Sequence, residues 1–449
     1  MKKLLILLLP VVIFAQSFMI SNIPLPKSYI QNLDPYECTQ ECLKEYLQND
    51  MIFSFLAHAK QKLDDQKLDE ARSMNIAILN IGAFNAGGKL KIAILLPYKK
   101  IGKYASSTVN ASFSYLMTKS NPFSLKSYRI ESENRADIED AIKKIEQDGF
   151  NYVIAPLTKE GTTNLISLNP TLNIYFPTIN KNDINTTSTY LFGGIDYKEQ
   201  SKLLLQEAVT PLIIFSDKSQ TGKKLALYQE KEFLHPTKSI EQTVEEEGIF
   251  GSFFNSSSAN DMVKKQNETI TLQEDDNLSN RKVIKYFISR RSTNLERYLK
   301  ENEDIINGSF FINTPIIKTG MIMSQLTLYD TNATNVLSTQ INYNPLLLSM
   351  TQYIDREKMI VANSIIQNNS VVVEINSLLG NDIEYDWINY STTIGVDYFY
   401  SQITGEERDY NIPIKNNQIL YKIELLHPGR TKFLPYVAPP EETSIIKEG

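Results

Sequence analysis

What most constrains this chain is an alternation of short apolar runs with amphipathic segments, which begins at Lys89. The run Lys91-Ile92-Ala93-Ile94-Leu95-Leu96 is almost unbroken and is closed by Pro97-Tyr98. A run of that kind suits a strand buried on both faces of a parallel sheet, where polar side chains have no outward face to occupy. Ala105–Thr118 then carries Val109, Phe113, Leu116 and Met117 at helical spacing. Leu125–Ile130 predicts a second strand. Arg135–Gln147 predicts a helix with Ile138, Ala141, Ile142 and Ile145 on one face and Gly149 as its stop. Tyr152–Leu157 and Asn173–Pro177 predict two more strands, with a short helix at Gly161–Ser167 between them. Strands alternating with helices in this way imply an α/β sheet with right-handed crossovers.

The alternation then repeats. Strands are expected at Tyr190–Asp196, Pro211–Asp217, Lys282–Ser289, Gly308–Asn313, Asn335–Asn342 and Met359–Asn363. Helices are expected at Lys198–Ala208, Gly222–Phe233, from Asn294, and at Thr319–Tyr329. Residues 255–282 are polar and read as a surface excursion, or as a strand flanked by loops around Thr269–Leu272. Two such series describe a two-lobed α/β protein. The first lobe is expected over 89–215 and the second mainly over 216–365, with part of 330–400 shared by crossovers. The tail 366–449 returns to the lobes and has a mobile end. Within it, Ile419–Leu425 alternates in the manner of an antiparallel edge strand.

The region before the alternation differs. Lys2 and Lys3 precede an apolar run, Leu4 to Phe14, and Ala15 offers a small residue for cleavage. This reads as a secretory signal over 1–15. The run is too short for the ~20 residues that span a bilayer, although an uncleaved anchor is the other reading of the same residues. No Cys follows the run to accept a lipid, and nothing later is apolar enough to span. The expected destination is the periplasm, with no stable membrane insertion once the signal is removed. Residues 16–88 form an N-terminal segment. It begins irregularly (Pro24, Pro26, Pro35) and reads as a helical hairpin over 40–80, its second helix starting near Asp64, Asp65 and Glu70 and ending near Gly82 and Gly87-Gly88. Cys38 and Cys42 are the two cysteines. In an oxidising compartment a close pair is expected to form a disulfide. On a regular helix that bridge would be strained, so the segment reads as a turn leading into a helix at Leu43.

The sequence carries none of the common motifs for nucleotide binding, metalloprotease or serine-hydrolase chemistry. There is no Gly-x-Gly-x-x-Gly after a strand, no phosphate loop, no His-Glu-x-x-His and no Gly-x-Ser-x-Gly. Gln220-Thr221-Gly222-Lys223-Lys224 looks briefly like a phosphate loop but lacks the earlier Gly and the Ser/Thr, so a capped helix start explains it better. The three histidines, His58, His235 and His427, form no metal-binding spacing. Asp275-Asp276 and Glu245-Glu246-Glu247 lie in polar runs and read as solvated faces. Against 46 basic side chains stand 52 acidic ones, a net charge of −6, which argues against nucleic acid as a partner. The expectation is a protein without catalytic residues, metal or cofactor. Asp183-Ile184-Asn185-Thr186-Thr187 and Asp330-Thr331-Asn332-Ala333-Thr334 each set an acid two residues before an Asn-x-Thr triplet, as in the extended acceptor sequence of bacterial N-glycosylation. In an Asn-rich chain such triplets also arise by chance.

Lys91–Pro97 opening a βα unit, Tyr152–Leu157, Gly308–Pro315, Gln325–Asp330 and Ser338–Asn342 together resemble the type 1 periplasmic-binding fold over roughly residues 89 to 400. Among its members the chain resembles the LpoA-type penicillin-binding-protein activators, which place a helical region before a two-lobed domain. The resemblance implies an envelope protein that works through protein contacts. The other expectation is a solute receptor that holds a small amino-acid-like ligand. In an open α/β sheet, ligands sit outside the carboxyl ends of the strands. Those positions here are Tyr98, Thr158, Thr178, Asp196, Ser216 and Asp217. Hydroxyls there would take a carboxylate and an acid would take an ammonium. The same side chains also suit helix capping.

Overall fold

The computed structural model describes residues 30–438 apart from 31, 35, 80, 82–89, 120, 185, 238–279, 290 and 367. The signal at 1–15, the candidate strand Thr269–Leu272, the glycines at 82, 87 and 88, Asn185 and the last ten residues lie outside the described residues. The described chain forms two α/β sheets of seven strands each, flanked by helices. Two compact units result. One takes the residues up to Ile179 with Thr186–Leu191 and Thr392–Asp409. The other takes Asn180–Asn185, Phe192–Ser391 and the residues from Tyr410 on.

The first sheet holds β1 (Leu90–Leu96), β2 (Phe123–Arg129), β3 (Tyr152–Ile154), β4 (Asn173–Phe176) and β5 (Leu191–Phe192). The second holds β6 (Leu212–Asp217), β7 (Val283–Ile288), β8 (Ser309–Asn313), β9 (Asn335–Ser338) and β10 (Met359–Asn363). Two late strands, β11 (Ile414–Lys415) and β12 (Gln418–Ile419), join the first sheet, and β13 (Glu424–Pro428) and β14 (Phe433–Pro435) the second. The orders are β11-β12-β5-β4-β3-β1-β2 and β14-β13-β10-β9-β8-β6-β7. β1 lies parallel to both β2 and β3, and β6 to β10 pair in parallel as the apolar runs imply.

Burial on both faces is plain in the second sheet. Ile213, Phe215, Phe310, Ile312, Val336, Met359 and Val361 join one core. The residues that alternate with them, Leu212, Ile214, Phe311, Leu337, Ile360 and Ala362, join the other. Period-two side chains thus feed two helix layers. In the first unit the helix Arg135–Gln147 follows its sequence signals. Asn134 caps it by accepting from the Asp137 N–H at 2.8 Å, and Ile138, Ala141, Ile142 and Ile145 are buried. Gly149, at φ +73°, turns the chain into β3.

Three local expectations need correction. The N-terminal hairpin is three helices, Gln40–Gln48, Ile52–His58 and Gln66–Ile78, around Leu43, Phe55, Leu56, Ala59 and Leu68. Its first arm breaks because Asp50 adopts φ +55° and the Met51 N–H returns to the Tyr46 carbonyl at 2.8 Å. The strand expected over Asn335–Asn342 stops at Ser338 and continues as a 3-10 turn, Gln340–Asn342. The alternation at Ile419–Leu425 is two strands in two sheets, β12 and β13. β12 arises from a hairpin in which Asn416 and Asn417 both take positive φ (+52° and +63°), as a two-residue primed turn requires. The Cys38–Cys42 bridge forms, with the Cα atoms 5.4 Å apart. Cys38 lies before the helix that starts at Gln40 and Cys42 in its first turn, so the bridge braces the helix start.

Candidate functional site

The six candidate side chains do stand at or just beyond the carboxyl ends of strands. Apart from Ser216, each is engaged by the protein's own groups. After β1, the half-buried Tyr98 ring lies 6.1 Å from the Tyr36 ring, and the Arg129 guanidinium stacks 4.6 Å from Tyr36 and 6.0 Å from Tyr98. Burial, then the nearby Asp34 carboxylate and Tyr36, outweigh Arg129 and push the Tyr98 phenol up to about 12. The segment next to the disulfide therefore covers the end of β1.

After β3 comes the arrangement that matters most. The Thr158 N–H donates to Glu133 Oε1 at 2.8 Å, and the Thr158 hydroxyl donates to Glu133 Oε2. Glu133 is only 1% exposed. Asn164 Nδ2 holds the Glu133 carbonyl at 2.8 Å. Gly161 admits the carboxylate, because a Cβ there would sit 2.7 Å from the Glu133 carboxyl carbon. Thr158 leads into the helix Lys159–Leu168 but its hydroxyl makes no cap bond, being committed to Glu133. An internal carboxylate thus sits at a helix start, where backbone donors and the helix dipole favour negative charge. After β4, the Thr178 hydroxyl donates to the Leu157 carbonyl at 2.6 Å, tying the ends of β3 and β4 together.

In the second unit, Asp196 caps the helix Tyr197–Leu205. Its Oδ1 accepts from the N–H groups of Lys198 (2.9 Å) and Glu199 (3.1 Å), and its Oδ2 accepts from Asn182 Nδ2 at 3.2 Å. Asp217 accepts from the Ser219 N–H at 3.0 Å and from its hydroxyl, while Ser219 Oγ caps Gln220–Leu234 by accepting from the Gly222 N–H at 3.0 Å. That cap is the whole of the phosphate-loop likeness. Ser216 is buried, and its hydroxyl has no hydrogen-bond partner among the described residues.

The carboxyl edge of the second sheet is filled by amides that sequence reasoning did not single out. Gln229 and Asn313 pair reciprocally, at 3.1 and 2.7 Å, and Gln229 also donates to Ser201 Oγ at 3.0 Å. Gln200 donates to Ser364 Oγ at 2.7 Å and accepts from the Gln340 N–H at 2.9 Å. Gln340 donates to Asn363 Oδ1 at 3.0 Å and accepts from the Ser364 N–H at 2.6 Å. All seven of these amide and hydroxyl side chains, at 200, 201, 229, 313, 340, 363 and 364, are buried. Glu133 carried no signal either, since Glu133-Asn134 reads as an ordinary helix approach.

A second buried acid lies in the first unit, on the helix Trp387–Thr404. Asp397 is wholly buried and accepts from the Tyr115 hydroxyl (2.8 Å), the Asp409 N–H (2.8 Å) and Arg408 Nε (3.2 Å). Burial raises its carboxyl above the ordinary value even so. Among the described residues no three His, Cys, Asp or Glu side chains gather where they could hold a metal, and no helix is long and apolar enough to cross a membrane.

No family model matches the sequence, and no curated protein matches it. Solved structures do. A branched-chain amino acid ABC transporter protein from Rhodospirillum rubrum superposes with a TM-score of 0.53 at 9% identity, over 77% of this chain and 99% of that one. The leucine binding protein LivK from Thermotoga maritima gives 0.50 at 10% identity, over 78% and 98%. LpoA from Haemophilus influenzae gives 0.48 at 10% identity, over 89% and 73%. With identities this low the likeness is one of fold, and the fold of this chain is that of the two-lobed type 1 periplasmic-binding proteins.

Proposed function

We propose that this chain is an exported, non-enzymatic protein of the cell envelope that acts by contacting other proteins, and that it is not a solute receptor. The observation that carries the reading is Glu133 on Thr158. A ligand carboxylate arriving at this helix start meets a tethered carboxylate already in place. A group so tethered has an effective concentration of roughly millimolar or more. A free solute at micromolar level is then outcompeted about a thousandfold, or ~4 kcal/mol. The Arg129–Tyr36–Tyr98 stack and the amide network support the same reading, because each fills a strand end with the protein's own groups. The finer reading is a scaffold or regulator of a penicillin-binding protein. Its support is the helical segment with its own small core ahead of the first sheet, as the resemblance implies.

The receptor reading keeps one observation in its favour. Ser216 Oγ, Thr339 Oγ1 and Asn342 Oδ1 are buried without a partner among the described residues, and each is a polar atom that a bound ligand would be expected to satisfy. A melting-temperature screen against amino acids and small organic acids separates the two: a saturable rise with any of them would end the contact reading. Site-specific crosslinking in the native envelope tests the finer one. Repeated capture of a penicillin-binding protein supports it, and crosslinks only to other proteins would remove it.

A further inference from the structure

We infer that Asn332 is an acceptor for N-linked glycan, on the described turn that follows the helix Ile316–Leu328. Five Asn-x-Ser/Thr triplets in which x is not Pro fall among the described residues, at Asn110, Asn307, Asn332, Asn368 and Asn389. The transfer needs both the amide and the hydroxyl two residues on to be within reach of an enzyme. Four triplets fail that test. Ser112, Ser309 and Ser391, the hydroxyl partners of Asn110, Asn307 and Asn389, are fully buried, and Ser309 Oγ is held by the Val209 N–H at 2.7 Å. Asn368 is half-buried, with its side-chain Oδ1 enclosed.

Asn332 and Thr334 are both exposed. The turn places Asp330 at φ +48° and Asn332 at φ +47°, with the acid two residues before the acceptor. Asn332 Nδ2 gives one hydrogen to Asn307 Oδ1 at 2.8 Å and keeps a second for exchange, and the Thr334 hydroxyl rests on the Asn307 carbonyl at 2.6 Å. Neither contact is buried. The donor required is a glycan carried on a lipid diphosphate. Asn332 Nδ2 forms a bond to the anomeric carbon, the bond from that carbon to the diphosphate oxygen breaks, the lipid diphosphate leaves with the electron pair, and one amide proton passes to a base of the transferring enzyme.

This rests on the export reading, and one experiment separates the two. The full chain is purified from its native host, and its intact mass and peptide map are compared for wild type, N332Q, T334A and T334S. The expected result is a chain that has lost residues 1–15 and carries a discrete glycan mass on the Asn332 peptide. N332Q and T334A lose that mass, T334S keeps it, and all four melt alike. A processed chain with an unmodified Asn332 peptide overturns the site alone. An unmodified chain that retains residues 1–15 and fractionates with the cytoplasm overturns the site and the export reading together.

Discussion

Replacing Glu133 with Ala probes the occupied helix start most sharply. The substitution removes two hydrogen bonds to a carboxylate, from the Thr158 N–H and hydroxyl, at a site that is 1% exposed. Hydrogen bonds to charged groups are worth ~1.5–3 kcal/mol each, and water entering the vacated space returns part of that. The net destabilisation is therefore about 2–4 kcal/mol. For a unit of this size, ~2–4 °C per kcal/mol gives a fall in melting temperature of roughly 4–16 °C. The same substitution opens a carboxylate-sized seat. Acetate or formate should then restore part of the loss in a saturable way, by about 2.7 kcal/mol at a hundred times the dissociation constant. Chloride at equal ionic strength should not. The assay is calorimetric melting with and without acetate, paired with hydrogen exchange at the Thr158 amide, which should become faster in the variant and slow again with acetate. A variant that melts like wild type, or acetate that raises both proteins equally, would refute the reasoning.

Gly161→Ala should destabilise by ~1–3 kcal/mol, because the new methyl overlaps the Glu133 carboxyl group, and its effect should shrink in the Glu133→Ala background when the two are measured by denaturant unfolding. Asp397 has a carboxyl raised above 3.8 by burial, so the folded state holds its proton more tightly than the unfolded one. Stability from this group is fully present below about 3.8 and falls as pH rises toward the folded value. Asp397→Asn should lack that slope, which melting curves across acidic pH would read as a gap between wild type and variant that changes with pH. Reducing Cys38–Cys42 opens a loop of only five residues, so the N-terminal helices should lose about 2 kcal/mol while the sheets keep their hydrogen-exchange protection.

The parts of the fold legible in the sequence are those that local pattern decides. The apolar run at 91–96 is β1, Met359–Asn363 is β10, and Arg135–Gln147 is a helix with the expected face inward. The helix Trp387–Thr404 was hidden. Its middle, Thr392-Thr393-Ile394-Gly395-Val396, holds poor helix formers, and tertiary packing overrides them. Gly395 is required there because the Tyr175 ring lies against its Cα and leaves no room for a side chain. The strand-end positions were legible and their occupants were not. Glu133 meets Thr158 across 25 positions and Gln200 meets Ser364 across 164, and a single sequence carries no trace of such pairings.

The most direct test of the contact reading is native mass spectrometry of the wild-type chain against the amino acids and small organic acids, with the Glu133→Ala variant and acetate as the positive control. The account predicts bare wild-type protein throughout and an acetate adduct on the variant. A stoichiometric adduct of any of these solutes on wild type, displaced by excess of the same solute unlabelled, would contradict it.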